Sequence, residues 1–548
     1  MHKIEKRKQK NTMKQLKSFL FLFLASTLFW ACSNDDTVNK SLWGDSYARF
    51  VRNAMTVTST EGTAEAIIDW QQSTWEITLG EGNIVTNVTP TSGGDNNGEH
   101  QFTKVTLTCN ANTSMDTRTQ VIRLTDRNGT TTELTITQEG AGGIALTVDP
   151  AVKYQPVAGF GGMYAVSIWG TPTITADEMN KMYSPDGLGY SILRLMIYAD
   201  ETRWADDVDG AKIAQSHGAT VFACPWNIPA EWADKVDDKD HLKPEHYTAY
   251  ADHLIKYINF MKQNGVDIYA VSVQNEPDMD FTAWTPQEVV NFLKQEGARI
   301  RETGVKLMSP EACGYQPEYT DAVLNDAEAF AQTDIVAGHL YQGFTDLGSS
   351  YVKDRHDYVC ALYPRLGGKT WWMTEHLFND GETEEDPSMW QFLNWDYNFS
   401  HLAKEIHMCM DGYCSAYLYW YLKRFYGMIG DNDPRSPVAE GEIAKNGYIL
   451  AHYAQYATNT TRIAVTSGSE NIDATAYINE TGNEITLVLL NQSDRTLSIQ
   501  IPMDGISQAT AVETSETKNM ETIDVNVTGE FVSLSISGES IVSVRIKL

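Results

Sequence analysis

Between residues 157 and 420 short apolar runs of strand length alternate with longer segments of helical periodicity. Eight runs stand out: Val157 to Phe160, Ser191 to Met196, Thr220 to Cys224, Ile268 to Val273, Val305 to Met308, Ile335 to Gly338, Thr370 to Thr374 and Ser415 to Trp420. Between them, sets such as Tyr247, Tyr250, Ala251, Leu254, Ile258 and Met261 recur at the spacing of one helix face. A strand that must return parallel to its neighbour needs a crossover helix, so this alternation predicts an α/β fold. Eight repeats predict a (β/α)8 TIM barrel over 157–461, with any active site at the C-terminal ends of the strands.

β-rich segments flank the barrel. Over 51–140 short alternating runs are separated by Gly, Asn, Asp and Thr clusters, and Asn128-Gly129 between two of them signals a hairpin. This predicts a small all-β sandwich. After Arg462 the helical pattern vanishes and alternation returns, as in Ile485 to Leu490 and Val532 to Ile536. Residues 462–548, joined by 144–156, are expected to form a side β-sandwich attached to the barrel.

The first 32 residues are a targeting segment. A Lys- and Arg-rich stretch precedes SFLFLFLASTLFWA, which suits a signal h-region better than a membrane span. Ala31-Cys32 resembles a bacterial lipobox, with Cys32 the lipidated residue, and the acidic run after it resembles the export signal of Bacteroidetes surface lipoproteins. The expected location is the cell surface, as an outer-membrane lipoprotein with a lipid anchor, or secretion by a plain signal peptide if the lipobox is not used; a linker at 33–50 follows. A formal charge of −30 excludes nucleic acid as a partner, because a phosphate backbone needs a basic footprint. It also means that an acidic partner requires a local cation. The remaining cysteines, Cys109, Cys224, Cys313, Cys360, Cys409 and Cys414, follow no metal-ligand spacing, and the sequence assigns no bridge among them. No cofactor, metal or protein partner is expected.

Two expected strands end on glutamates. The run Ile268 to Val273 stops at Gln274-Asn275-Glu276-Pro277, where Pro277 cannot continue a ladder. The run Thr370 to Thr374 stops at Glu375. The two fall after the fourth and seventh strands, so both can point into one central cleft. A carboxylate at such an apolar site is costly unless paired or functional. Two carboxyl groups facing each other across a pyranose are the equipment of a glycoside hydrolase; close together, one attacks and one donates a proton. Their repulsion and apolar surroundings would keep the proton donor protonated near neutral pH.

Gly159-Phe160-Gly161-Gly162-Met163, Ser191-Ile192-Leu193-Arg194, Phe222 to Asn227, VSVQNEPD (271–278), WTPQEV (284–289), Ser309-Pro310-Glu311, His339-Leu340-Tyr341, WMTE (372–375) and YWYLKRFYG (419–427) resemble glycoside hydrolase family 30. The last points to subfamily 8, the glucuronoxylan endo-β-1,4-xylanases. The resemblance runs from about Ile144 to the C-terminus and implies a retaining barrel enzyme with a side β-sandwich. It implies Glu276 as acid/base and Glu375 as nucleophile. Asn275 becomes the amide beside the acid, and Trp226, Tyr341 and Trp420 the subsite aromatics; Trp169, Asn227 and His339 are further substrate-binding candidates. In the subfamily an Arg after the eighth strand holds the glucuronate of xylan. Lys423-Arg424 stands there, Arg424 is the choice, and Tyr426 is a second candidate for the same pocket. A guanidinium suits a uronate carboxylate, which it can pair bidentately. Residues 75–140 resemble the BACON domain of Bacteroidetes glycan-degrading proteins, although no cluster of exposed aromatics is evident there and a spacer role fits as well.

The chain departs from the subfamily in places. His376-Leu377-Phe378 replace tyrosines that help hold the uronate, the loop after Glu276 is shorter, and an insertion from Gly430 to Glu442 lengthens the loop after the Arg. Two other readings therefore stand beside a glucuronoxylan endo-xylanase. One is the same fold acting on another β-glycan or on unsubstituted xylan. The other is a non-catalytic glycan-binding lipoprotein.

Overall fold

The computed structural model describes residues 46–548 apart from 97–99, 113–116, 141–142, 165–172, 280–281, 315–316, 342–349 and 378–394, and apart from the side chains of 350–354. Cys32 and Trp169 therefore lie outside the described residues.

The N-terminal unit packs two sheets face to face. One orders Tyr47–Phe50, Gly62–Gln71, His100–Cys109 and Val85–Thr89; the other orders Ala54–Val57, Thr131–Gln138, Arg118–Asp126, Thr74–Leu79 and Ser92–Gly94. Alternate residues face inward, as the two-residue strand period requires, and Ile68, Trp75, Val105, Leu107, Ile122 and Ile136 fill the space between the sheets. The Asn128-Gly129 turn joins two strands as expected: Asp126 Oδ1 accepts the N–H groups of Asn128 and Thr130, both at 2.8 Å, and Gly129 takes φ +82°. The unit begins earlier than expected. Tyr47–Phe50, expected in the linker, pairs residue for residue with Ile68 to Gln71.

In the second unit eight parallel strands close a barrel: β1 (Gly159–Met163), β2 (Ile192–Ile197), β3 (Thr220–Pro225), β4 (Ile268–Ser272), β5 (Lys306–Gly314), β6 (Ile335–Tyr341), β7 (Thr370–His376) and β8 (Cys414–Tyr419). β8 returns to pair with β1, so no strand edge is left open. Each strand overlaps its expected run, although β1 starts two residues late because Val157 ends the preceding strand, Ile144–Val157. The helix Tyr247–Gln263 buries the expected stripe, Tyr247 to Met261, against the barrel. Ile192, Phe222, Met308, Trp372 and Leu418 fill the lumen, which makes it a core and not a pore.

The strand Ile144–Val157 ties the side sandwich to the barrel. It runs antiparallel to Thr460–Ser467 and parallel to Leu497–Pro502 within one ten-stranded sheet. Leu146, Ile463, Leu487, Ile499, Leu534 and Val544 form the sandwich core. Among the described residues, no helix is long and apolar enough to cross a membrane.

Candidate active site

β2 reads ILRLMI and every residue of it is buried. A guanidinium in such a strand must find partners, since an unpaired buried charge costs several kcal/mol. Arg194 finds three carbonyl or carboxylate oxygens on other strand ends. It donates to Glu375 Oε2, to Asn275 Oδ1 at 2.7 Å and to Glu311 Oε2 at 3.5 Å, and its guanidinium carbon lies 4.6 Å from the Trp226 ring centroid.

Glu311 sits inside β5, in its C-terminal half, with φ +62° and is fully buried. Its Oε1 accepts from Ser272 Oγ at 2.5 Å, and its Oε2 from Thr374 Oγ1 at 2.6 Å and faces His339 Nε2 at 3.0 Å. Burial opposes its ionisation, but Arg194 and His339 outweigh burial and bring its pKa down to about 2. His339 is the mirror case. Burial opposes its charge, yet Glu375, Glu276 and Glu311 raise its pKa to about 10, so the ring is an imidazolium at neutral pH.

Glu276 follows β4 at φ +44°. Hydrogen bonds hold this left-handed turn on both sides: Asn275 N–H donates to Pro225 O at 2.8 Å and Glu276 N–H to Glu311 O at 3.0 Å. The Gln274 amide adds a bond to Trp226 O at 2.8 Å. Glu276 Oε1 then faces His339 Nδ1 at 2.8 Å. Glu375 is held from the other side, where Tyr341 donates its hydroxyl to Oε1 at 3.3 Å and in turn accepts the Leu377 N–H at 3.1 Å. Carboxyl oxygens of Glu276 and Glu375 and a ring nitrogen of His339 lie within 4.8 Å of one another. That spacing could admit a cation, but both His339 nitrogens face carboxylates and the ring holds its proton, which spoils it as a ligand. Burial, with Glu276 adding, pushes the Glu375 carboxyl up against the pull of His339 and Arg194. Two carboxyls this close repel each other when both are charged. Both are nearly enclosed, at 6% and 5% exposure.

Aromatic walls surround the pair. Trp226 stacks on Trp420 at 5.7 Å, and Trp420 meets Tyr421 at 4.0 Å. Tyr341 packs on His376 at 4.5 Å, whose Nδ1 lies 2.6 Å from Glu405. Asn227, next to Trp226, is exposed. Among the described residues, Asn275 Nδ2 is a buried donor with no acceptor.

The Lys-Arg pair after β8 divides its work. Lys423 is buried against Glu178 at 2.7 Å and Thr173 O at 3.3 Å, which ties it to the helix Ala176–Tyr183. Arg424 is half-buried, donates to the Tyr426 hydroxyl at 3.0 Å and stands 5.9 Å from the Tyr421 ring centroid. Tyr426 itself is largely buried, with its carbonyl accepting from Tyr419 and Asn446. Thus the structure brings Asn275, Glu276, His339, Tyr341, Glu375, Trp226 and Trp420 together, with Arg424 and Tyr426 one aromatic ring further out. Sequence reasoning gave Arg194 and Glu311 no role. The available signal was a charged residue inside a wholly apolar strand.

Residues 459–544 match the glycosyl hydrolase family 30 beta sandwich domain. Glucuronoxylanase XynC of Bacillus subtilis (strain 168) is 32% identical over 360 residues, covering 64% of this chain and 78% of that protein. Among solved structures, a GH30 endoxylanase from Clostridium papyrosolvens C71 superposes with a TM-score of 0.61 at 29% identity, and a glycoside hydrolase family 30 subfamily 8 xylanase, Xyn30A, from Clostridium acetobutylicum with 0.60 at 28%. Each of these matches covers 74% of this chain and 100% of the other. With a barrel that carries two enclosed glutamates at its strand ends and a side sandwich of the matching kind, this chain is a glycoside hydrolase and belongs to glycoside hydrolase family 30.

Proposed function

We propose that the protein is a retaining endo-β-1,4-xylanase that cuts xylan bearing glucuronate side groups. The observation that carries this reading is the closeness of the two enclosed carboxyls, whose oxygens lie within 4.8 Å. Inverting enzymes keep their carboxyls about 6.5–9.5 Å apart to seat a water, whereas retaining ones use about 5–5.5 Å.

Glu375 attacks the anomeric carbon, and Glu276 protonates the departing glycosidic oxygen. Glu276 then takes a proton from water, which releases the sugar from Glu375. Donors on both Glu375 oxygens, from Arg194 and Tyr341, steady the carboxylate for attack. The acceptorless Nδ2 of Asn275 suits a sugar hydroxyl beside the reacting carbon. Trp226 and Trp420 supply apolar faces for pyranose rings. Arg424 lies on the loop after β8 within an aromatic cluster, where a uronate carboxylate could pair with it. The named activities of the two Clostridium enzymes and of XynC point to the same substrate class.

Residues 1–32 are assigned to lipoprotein export, with Cys32 anchoring the enzyme at the outer membrane. The BACON-like unit follows in the chain. Loss of membrane association in a Cys32→Ala variant tests the anchor.

Mass spectrometry of products from glucuronoxylan tests the activity. Products are expected to carry the uronate at a fixed place relative to the new reducing end. Glu375→Gln should abolish hydrolysis, and Glu276→Ala should suffer most on poor leaving groups. Undiminished hydrolysis by Glu375→Gln would sink the assignment, and product lengths indifferent to the uronate would count against Arg424 as anchor.

A further inference from the structure

The insertion at 430–442 carries four carboxylates, Asp431, Asp433, Glu440 and Glu442, against one arginine, Arg435. It is built into the fold. Gly430 N–H donates to Glu442 O at 2.9 Å and Gly441 N–H to Gly430 O at 3.0 Å, which closes its base. Ile429 forms bridges to both Lys423 and Ile443, so the base is joined to the loop that carries Arg424.

The tip is fixed just as firmly. Asp431 Oδ1 accepts the Asp433 N–H at 3.0 Å. Asp433 Oδ1 accepts the backbone N–H and Nε of Arg435, each at 2.9 Å, and Oδ2 accepts Nη2 at 2.7 Å. The Arg435 guanidinium carbon lies 3.6 Å from the Phe425 ring centroid, and that of Arg424 lies 5.8 Å from the same centroid. One ring thus joins the insertion's ion pair to the arginine proposed to hold a uronate. Both carboxyls feel that arginine. Hydrogen bonds from Arg435 hold Asp433 low, and Arg424 adds to the pull. Asp431 is buried and held up by burial, with Arg424 among the groups that oppose this.

We propose that Asp431, Asp433 and Arg435 set how strongly the Arg424 pocket prefers an acidic substituent. Asp431 and Asp433 both pull on Arg424, with Arg435 neutralising part of their charge, so a uronate gains less there than it would beside an arginine without such neighbours. Stretches of xylan that carry no uronate then compete as substrates. The inference rests on Arg424 as the uronate anchor. Placing like charges where an acidic partner must bind is a direct way to lower preference for it.

The test compares kcat/KM on a xylo-oligosaccharide carrying one glucuronate with kcat/KM on the linear oligosaccharide of equal length. In a D431N/D433N double variant the ratio should rise about fivefold, as expected for removing nearby like charges. Arg435→Gln leaves the carboxylates uncompensated and should lower the ratio. This opposite sign keeps the test decisive if the double variant folds poorly. Ratios unmoved in both variants would overturn the proposal. Arg424→Ala separates the two readings. If it leaves the ratio unchanged, Arg424 is not the anchor; if it lowers the ratio while the insertion variants do nothing, only the insertion's role fails.

Discussion

Glu311 and His339 exist as ions because of each other. Glu311 faces three proton donors and one guanidinium, and His339 is wedged between Glu311 and Glu276. Removing one partner strands the rest. Glu311→Gln should destabilise the protein by roughly 3–5 kcal/mol, the usual cost of breaking a buried charge pair from one side. Urea unfolding checks this, and a loss below about 1 kcal/mol would contradict the charge balance described. His339 has a pKa of about 10 in the fold against an ordinary 6.5. Between these values the folded protein holds a proton that the unfolded chain lacks. The stability it contributes is full below pH 6.5 and drains away as pH rises towards 10. The stability gap between wild type and His339→Gln should therefore narrow over that window, as urea curves at pH 6 and 9.5 would record. Glu375 gives a third expectation. A nucleophile must be ionised, and burial holds this carboxyl above its ordinary 4.5. The acid limb of kcat/KM should accordingly fall off above pH 4.5, and a limb at or below that value would show that the cleft does not hold Glu375 up.

At the scale of elements, β1 illustrates what a strand demands of its residues. A Cβ added at Gly161 would stand 1.8 Å from the carbonyl oxygen of Ile192, a backbone atom in the adjacent strand that cannot retreat without breaking the β1–β2 register. Gly161→Ala should abolish soluble expression or cost more than about 3 kcal/mol, beyond the usual range for overpacking, because the obstacle is backbone and not a flexible side chain. Wild-type stability in that variant would mean the two strands are further apart than described. The eight strands were legible because parallel strands buried on both faces are nearly pure apolar runs, and such runs need no knowledge of partners. The ends of those strands were only roughly legible: β4 stops at Ser272, before Glu276 and Pro277, and β7 runs through Glu375 to His376. The charge network was not. Arg194 meets Glu375 and Glu311 across 181 and 117 residues of chain, and only barrel closure brings them together. The registers of β5 and β6 also slip at Pro310/Ala312 and Gly338/His339, so strand alternation cannot tell where Glu311 and His339 point. Head-group chemistry favoured Arg424 over Lys423 in sequence, but only the structure shows Lys423 committed to Glu178 and Arg424 beside Tyr426.

For the molecule as a whole, the barrel and the side sandwich meet along the helix Lys445–Ala457, where the contacts combine apolar packing with enclosed polar groups. Lys445 Nζ donates to the carbonyls of Ser515 and Lys518, at 2.6 and 2.9 Å, and Arg545 Nη2 to Gln455 O at 2.8 Å. His452 lies fully buried in this seam, with Nδ1 facing Ser543 Oγ and Nε2 facing Thr514 Oγ1, both at 2.8 Å. Burial lowers its pKa to about 3, and neither hydroxyl carries a charge to offset that. In the unfolded chain the ring takes a proton below its ordinary 6.5. From pH 6.5 down to 3 the unfolded state therefore binds a proton that the folded state refuses, and stability must fall as the pH drops. His452→Gln keeps a side chain able to bond both hydroxyls but removes the titration. Its stability should be lower than wild type at pH 7, where the native packing is disturbed, yet decline less steeply between pH 6.5 and 4. The seam lies inside one compact unit, so the barrel and sandwich should lose structure together in both proteins, by far-UV circular dichroism, which reads the strands of both, and by tryptophan fluorescence, to which the tryptophan-free sandwich does not contribute. Parallel slopes for the two proteins would remove His452 as a source of acid sensitivity, and separate transitions would show that the seam does not couple barrel to sandwich.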